Sequence, residues 1–131
     1  MKSKHKVMIV VLIVVISVIT LLFNAIYVQL PRNTIVTLNY EYCGEVIHEK
    51  LTSEESEAII SILNGKVQFF DNPSCGFDKK INLSVNNQSF LLACDGCPTI
   101  KHGLRYFNVE EGEIKIIHSI MEKYGATFPC V

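Results

Sequence analysis

Polarity along this chain changes abruptly at Val7. From Val7 to Phe23 every residue is apolar except Ser17 and Thr20, and none is charged. Seventeen residues of helix rise ~26 Å, and continuing through Val28 gives ~33 Å. That matches a hydrocarbon core of about 30 Å. Residues 7–28 therefore read as a membrane-spanning signal-anchor, with a basic stub at 1–6 and a linker at 29–33. Lys2, Lys4 and Lys6 precede the run, and Arg32 is the only charge close behind it. The positive-inside rule then puts the N-terminus in the cytoplasm and the remainder outside, with Tyr27 near the outer interface. The rival reading is a cleaved signal peptide. Its apolar region should be ~7–15 residues and end in small residues. This run is longer and ends on Leu22, Phe23, Asn24 and Ala25.

Beyond residue 33 the pattern alternates between short β-like stretches and two helical ones. Residues 34–40 are rich in β-branched side chains and predict a strand. Cys43 and Gly44 make a turn, from which 45–51 can return antiparallel. Thr52 and Glu55 fit a capping box ahead of a stripe at Ile59, Ile62 and Leu63, with Ile60 beside it. Asn64 and Gly65 stop that helix, glycine suiting the left-handed cap. Residues 67–70 predict a short strand and 71–76 a loop. Residues 81–85 and 88–94 flank Asn86 and Asn87, a pair that tolerates positive φ and predicts a two-residue hairpin. Pairing Val85 with Gln88 sets Leu83 opposite Phe90 and Ile81 opposite Leu92, with Cys94 on the same buried face. After a turn at 95–98, extended pieces at 99–100 and 104–107 flank another turn. A second helix opens with Asn108 as N-cap and Glu111 three residues later. Ile114, Ile117, Met121 and Tyr124 keep helical spacing, and Gly125 ends it. The expected fold is α+β: an N-terminal transmembrane helix, then over 34–131 a small disulfide-stapled antiparallel sheet with two helices on one face.

Composition narrows the options. The chain has 131 residues, 49% apolar and 19% charged. Without the apolar segment about 100 residues remain, enough for one modest core and too few for a multidomain enzyme or a long repeat array. Residues 31–131 carry nine Lys and Arg against thirteen Asp and Glu, a net charge of −4. The charges are interspersed with no basic stripe, so nucleic acid and anionic headgroups are poor expectations as partners. All five cysteines lie beyond the apolar run, and in an oxidising compartment that density reads as disulfides. An odd number leaves at least one thiol over. Connectivity is not set by sequence. The expected arrangement is two bridges among Cys75, Cys94, Cys97 and Cys130, with Cys43 left over in a turn, where it can link two chains.

Candidate chemistry is sparse. Cys94-Asp95-Gly96-Cys97 has dithiol spacing, but a redox motif needs a cysteine at a helix N-terminus, and Pro98-Thr99-Ile100 does not read as one. A zinc site drawn from Cys75, Cys94, Cys97, Cys130 and His102 lacks the second close-spaced pair of a strong signal. His48, His102 and His118 have no accompanying nucleophile elbow. Glu54, Glu55 and Glu57, and likewise Glu110, Glu111 and Glu113, fall in first helical turns, where negative charge complements the dipole. Asn82-Leu83-Ser84 and Asn87-Gln88-Ser89 match the glycosylation sequon. The expectation is a membrane-anchored extracytoplasmic protein without cofactor. It is a non-enzymatic interaction or immunity-type module, held by the bilayer and meeting a protein or envelope partner. The alternatives are a thiol-active surface protein using Cys94 and Cys97, and a zinc-binding module.

Asn72-Pro73-Ser74-Cys75-Gly76-Phe77, the stretch Ala93-Cys94-Asp95-Gly96-Cys97-Pro98-Thr99-Ile100, and Tyr124-Gly125 followed by Phe128-Pro129-Cys130 form a set. Together they resemble a loose group of small secreted or membrane-anchored bacterial proteins of no assigned activity. The resemblance covers roughly 45–131. It implies a bacterial surface protein, in which the sequons have no role, and it transfers no catalytic residues. Cys43 lies outside these motifs, in keeping with an unpaired thiol.

Overall fold

The computed structural model describes residues 2–130. In chain order the elements are α1 (Lys2–Ile26), β1 (Thr37–Tyr42), β2 (Glu45–Lys50), α2 (Ser53–Leu63), β3 (Phe77–Val85), β4 (Gln88–Ala93), β5 (Thr99–His102), β6 (Arg105–Asn108) and α3 (Glu111–Lys123). The strands form one antiparallel sheet in the order β2-β1-β3-β4-β5-β6. Period two sends alternate side chains to opposite faces. Leu38, Tyr40, Ile81, Leu83, Val85, Phe90, Leu92, Ile100 and Phe107 line the inner face. Ile59, Ile60 and Leu63 of α2 and Ile114, Ile117 and Met121 of α3 join them in one core. The fold is α+β, with both helices on one face of the sheet.

Local chemistry explains most boundaries. Thr52 caps α2 reciprocally: its Oγ1 accepts from the Glu55 N–H at 3.2 Å, and Glu55 Oε2 accepts from the Thr52 N–H at 3.0 Å. Asn86 and Asn87 both take positive φ, 48° and 63°, the geometry that a two-residue hairpin between right-twisted strands requires.

Several expectations need correction. The β3–β4 register runs Val85 to Gln88 and Leu83 to Phe90, but it shifts between Asn82 and Phe77, which faces Ala93. Asp78 Oδ1 accepts from the Lys80 N–H at 2.9 Å and the Asn82 amide donates to the Lys79 carbonyl at 2.9 Å. These side chains offer the backbone an alternative to the ladder. Ile81 stays buried and pairs with Tyr40 of β1. The last helix starts at Glu111 with Glu110 as N-cap, not Asn108. Asn108 stays in β6 because its Oδ1 accepts from Thr99 Oγ1 across the sheet at 2.7 Å, and Glu113 takes the Glu110 N–H at 2.8 Å. Residues 67–70 form no strand, only bridges at Val67 and Phe69. α1 ends at Ile26, and Val28 and Leu30 are buried in the domain core. Apolar residues that read as the end of a span are consumed in packing.

Candidate functional site

None of the residues of α1 is buried. An apolar helix of 25 residues bare on every side fits a membrane anchor or a signal sequence, since water is a poor solvent for such a surface.

The join between this helix and the domain is built from backbone and amide hydrogen bonds. Tyr27 bridges Val67 antiparallel. The Val28 N–H donates to the Lys66 carbonyl at 3.0 Å, and the Gly65 N–H donates to the Val28 carbonyl at 2.9 Å. Asn64 grips Leu30 like a neighbouring strand: its Oδ1 accepts the Leu30 N–H at 2.6 Å and its Nδ2 donates to the Leu30 carbonyl at 3.0 Å. Buried Gln68 ties the last turn of α1 to the sheet. Its N–H donates to the Ile26 carbonyl at 2.7 Å and its Nε2 to the Asn24 carbonyl at 3.5 Å. Its Oε1 lies 2.7 Å from His102 Nδ1. The sequence marks Asn64 only as a helix stop and Gln68 not at all. Their roles arise from partners 34 or more positions away.

These contacts fix the polarity of the domain. His102 is the last residue of β5, so α1 ends beside the β5–β6 turn. The Asn86–Asn87 turn lies at the same end, since Phe90 of β4 pairs with His102. All five cysteines lie at the other end. Cys43 occupies the β1–β2 turn, and Cys94 and Cys97 follow β4. Cys75 pairs with Cys97 and Cys94 with Cys130, at Cα separations of 6.0 and 5.1 Å. Cys43 is exposed and free, at φ 50°. Cys94 and Cys97 are thus bonded to different partners rather than to each other. Cys94 packs against the core and Cys130 is buried.

The histidines do not converge. His48 lies on the outer face of β2 and hydrogen bonds Asn39. His102 stacks on Phe90 with ring centres 4.4 Å apart, and burial, aided by Arg105, pushes its pKa down. His118 on α3 stacks on Phe128 at 4.0 Å, and burial likewise lowers its pKa, against the pull of Glu122. In both, burial disfavours the charged form of the ring. Among the described residues no group of three or more His, Cys, Asp or Glu is placed to hold a metal ion.

The acidic first turns are structural. Glu55 accepts from Lys123 Nζ and from the Tyr124 hydroxyl, each at 2.6 Å. The Lys123 and Tyr124 bonds hold its carboxyl down at about 2 despite partial burial. Glu113 accepts from Lys66 at 2.6 Å. Burial pushes its carboxyl up, but the Lys66 ammonium and the Glu110 N–H outweigh burial and leave it low. The first pair joins the first turn of α2 to the last turn of α3, and the second joins the segment after α2 to the first turn of α3.

No protein-family model matches the chain, and no curated protein or solved structure shows significant similarity to it.

Proposed function

We propose that this chain is a single-pass, membrane-anchored extracytoplasmic protein whose domain acts by binding a protein or envelope partner rather than by catalysis. The observation that carries this reading is a bare apolar helix of 25 residues running without a free linker into a disulfide-bonded domain. With α1 in the bilayer, the N-terminus lies in the cytoplasm and the cysteine-rich end points away from the membrane. A tether raises the local concentration of the domain for membrane partners, so a small surface of modest affinity suffices. The interspersed charge, net −4 beyond residue 30, favours a protein or envelope partner over nucleic acid.

Cys43 offers a direct test of topology, being exposed and free at the outer end. A membrane-impermeant maleimide is expected to label it in intact cells. The chain should also remain in the membrane pellet after alkaline extraction. Labelling only after permeabilisation overturns the orientation, and release of a shorter soluble species means the helix is a cleaved signal. For the binding role, a photo-crosslinker at Val46, 75% exposed beside Cys43, is expected to give one discrete adduct in the native membrane. Absence of any adduct from Val46 counts against a partner at that end. Cys43 also permits a covalent dimer, in which a band of doubled mass on non-reducing gels disappears in Cys43→Ser.

The thiol-active alternative has a narrower basis, since the Cys94 bridge ends in buried Cys130. Reduction potentials below about −300 mV are expected for both bridges; a potential in the catalytic range would favour that alternative.

A further inference from the structure

We infer that the β5–β6 tip and the groove beside it dock on the anionic phospholipid headgroups of the leaflet that holds α1. The inference rests on the reading of α1 as a membrane anchor, and it concerns how the domain meets the surface beneath it.

Position is the first argument. The last turn of α1 reaches the end of β5 through one side chain, Gln68, and Tyr27 and Val28 are hydrogen bonded directly to the domain. No slack separates anchor from sheet, so the end that carries the β5–β6 turn lies against the bilayer. Gly103 takes φ 62° in that turn and leaves Leu104 at the tip, 84% exposed. Phe70, 73% exposed, lies alongside, beneath the Arg105 guanidinium at 5.4 Å from its ring centre. Lone exposed apolar residues are ordinary on a soluble surface. Here two sit together at the depth of the headgroups, flanked by a cation.

Charge is the second. An open groove of about 760 Å³ runs along the outer face of the sheet to this tip. Lys79 and Lys101 line it with Leu91, Ser89 and Asn87 add polar groups, and among the described residues no carboxylate lines it. The chain outside the membrane is acidic as a whole, yet the fold sets Lys101 and Arg105 beside the anchor and aligns Lys79, farther along the sheet, with Lys101 on one groove. The acidic first turn of α2, with Glu54, Glu55 and Glu57, follows β2 at the opposite sheet edge. The domain therefore leans on its cationic corner, with lysines toward phosphate oxygens and Leu104 toward the acyl boundary. Because the anchor makes this contact intramolecular, a few weak interactions populate it.

The chain contains no tryptophan, so Leu104→Trp and Val46→Trp each introduce a single reporter. The full chain is reconstituted in phosphatidylcholine vesicles with and without phosphatidylglycerol, carrying brominated acyl chains that quench a nearby indole. Vesicle flotation is scored on the same samples. In the anionic vesicles the Leu104→Trp reporter is expected to be quenched several-fold more strongly than the Val46→Trp reporter, which sits at the far hairpin. An indole itself favours the interface, so the decision falls to charge. Lys79→Glu with Lys101→Glu on the Leu104→Trp background is expected to bring quenching down to the Val46→Trp level, as is omission of phosphatidylglycerol. Chains that float while the Leu104→Trp reporter stays unquenched, or is quenched regardless of charge, overturn the docking and leave the anchor standing. Chains that fail to float overturn the anchor and the docking with it.

Discussion

Removing one bridge at a time separates what the cysteines do to the unfolded chain from what they do to the fold. The Cys94–Cys130 bridge spans 36 positions and the Cys75–Cys97 bridge 22. In the loop-entropy account, opening them costs ~3.8 and ~3.4 kcal/mol, a difference of only ~0.4 kcal/mol. The folded surroundings are far less equal. Cys130 is buried, its N–H donates to the Cys94 carbonyl at 2.9 Å, and the tail behind it seats Phe128 against Tyr40 and His118. Cys75 lies in the exposed loop at 71–76. Cys94→Ala with Cys130→Ala is therefore expected to cost ~5 kcal/mol, adding ~1 kcal/mol of lost burial to the chain term. Cys75→Ala with Cys97→Ala should cost little beyond the chain term, ~3.5 kcal/mol or less. For a domain near 100 residues the first is a fall in melting temperature of ~20–40 °C. The assay is thermal unfolding of the full chain in detergent, followed by near-UV tyrosine dichroism. All five tyrosines lie at the junction or in the domain, so α1 adds nothing to this signal. Equal costs, or a larger cost for the Cys75–Cys97 pair, would refute the argument that packing around the tail decides the ranking.

Three further outcomes follow from the packing and the charges. Glu55 has a folded pKa of about 2, below its ordinary 4.5. Its stabilisation is thus present above pH 4.5 and lost as pH falls toward 2. The full shift corresponds to ~3 kcal/mol, reduced to ~1–2 because its partner Lys123 is largely exposed. Wild type and Glu55→Gln should differ by that amount at neutral pH and converge in melts near pH 2. Ile117 is fully buried and Ile116 is 49% exposed. Ile117→Ala is expected to cost ~2–4 kcal/mol and Ile116→Ala under ~0.5 in the same melts; equal costs would misplace the α3 core face. Cys43 holds a left-handed conformation ahead of Gly44, where asparagine is preferred. Cys43→Asn should raise stability by ~0.5–1 kcal/mol, and a destabilised variant would mean that the thiol makes a contact worth more than the turn.

The sequence determined whatever depends on neighbours a few positions apart. An uninterrupted apolar run with no polar stripe predicts a helix with no face to pack on a core, and α1 is bare on every side. The Thr52–Glu55 box, the Asn86–Asn87 turn and the Ile114, Ile117 and Met121 stripe are local, and each forms as its spacing predicts. Asn108 misled as a helix cap because its side chain serves Thr99 nine positions away across the sheet. Val28 packs in the domain core, which the sequence does not single out because an apolar residue suits a lipid span and a protein core equally. Tertiary structure alone decided the pairings among the cysteines, the gathering of all five at one end, and the Asn64 and Gln68 contacts that lock the helix to the domain. It also brought Lys79 and Lys101 to one groove in an otherwise acidic domain. Such contacts join positions tens of residues apart, where hydrophobic periodicity and turn chemistry carry no register. Only strand order and the direction of each crossing bring them together.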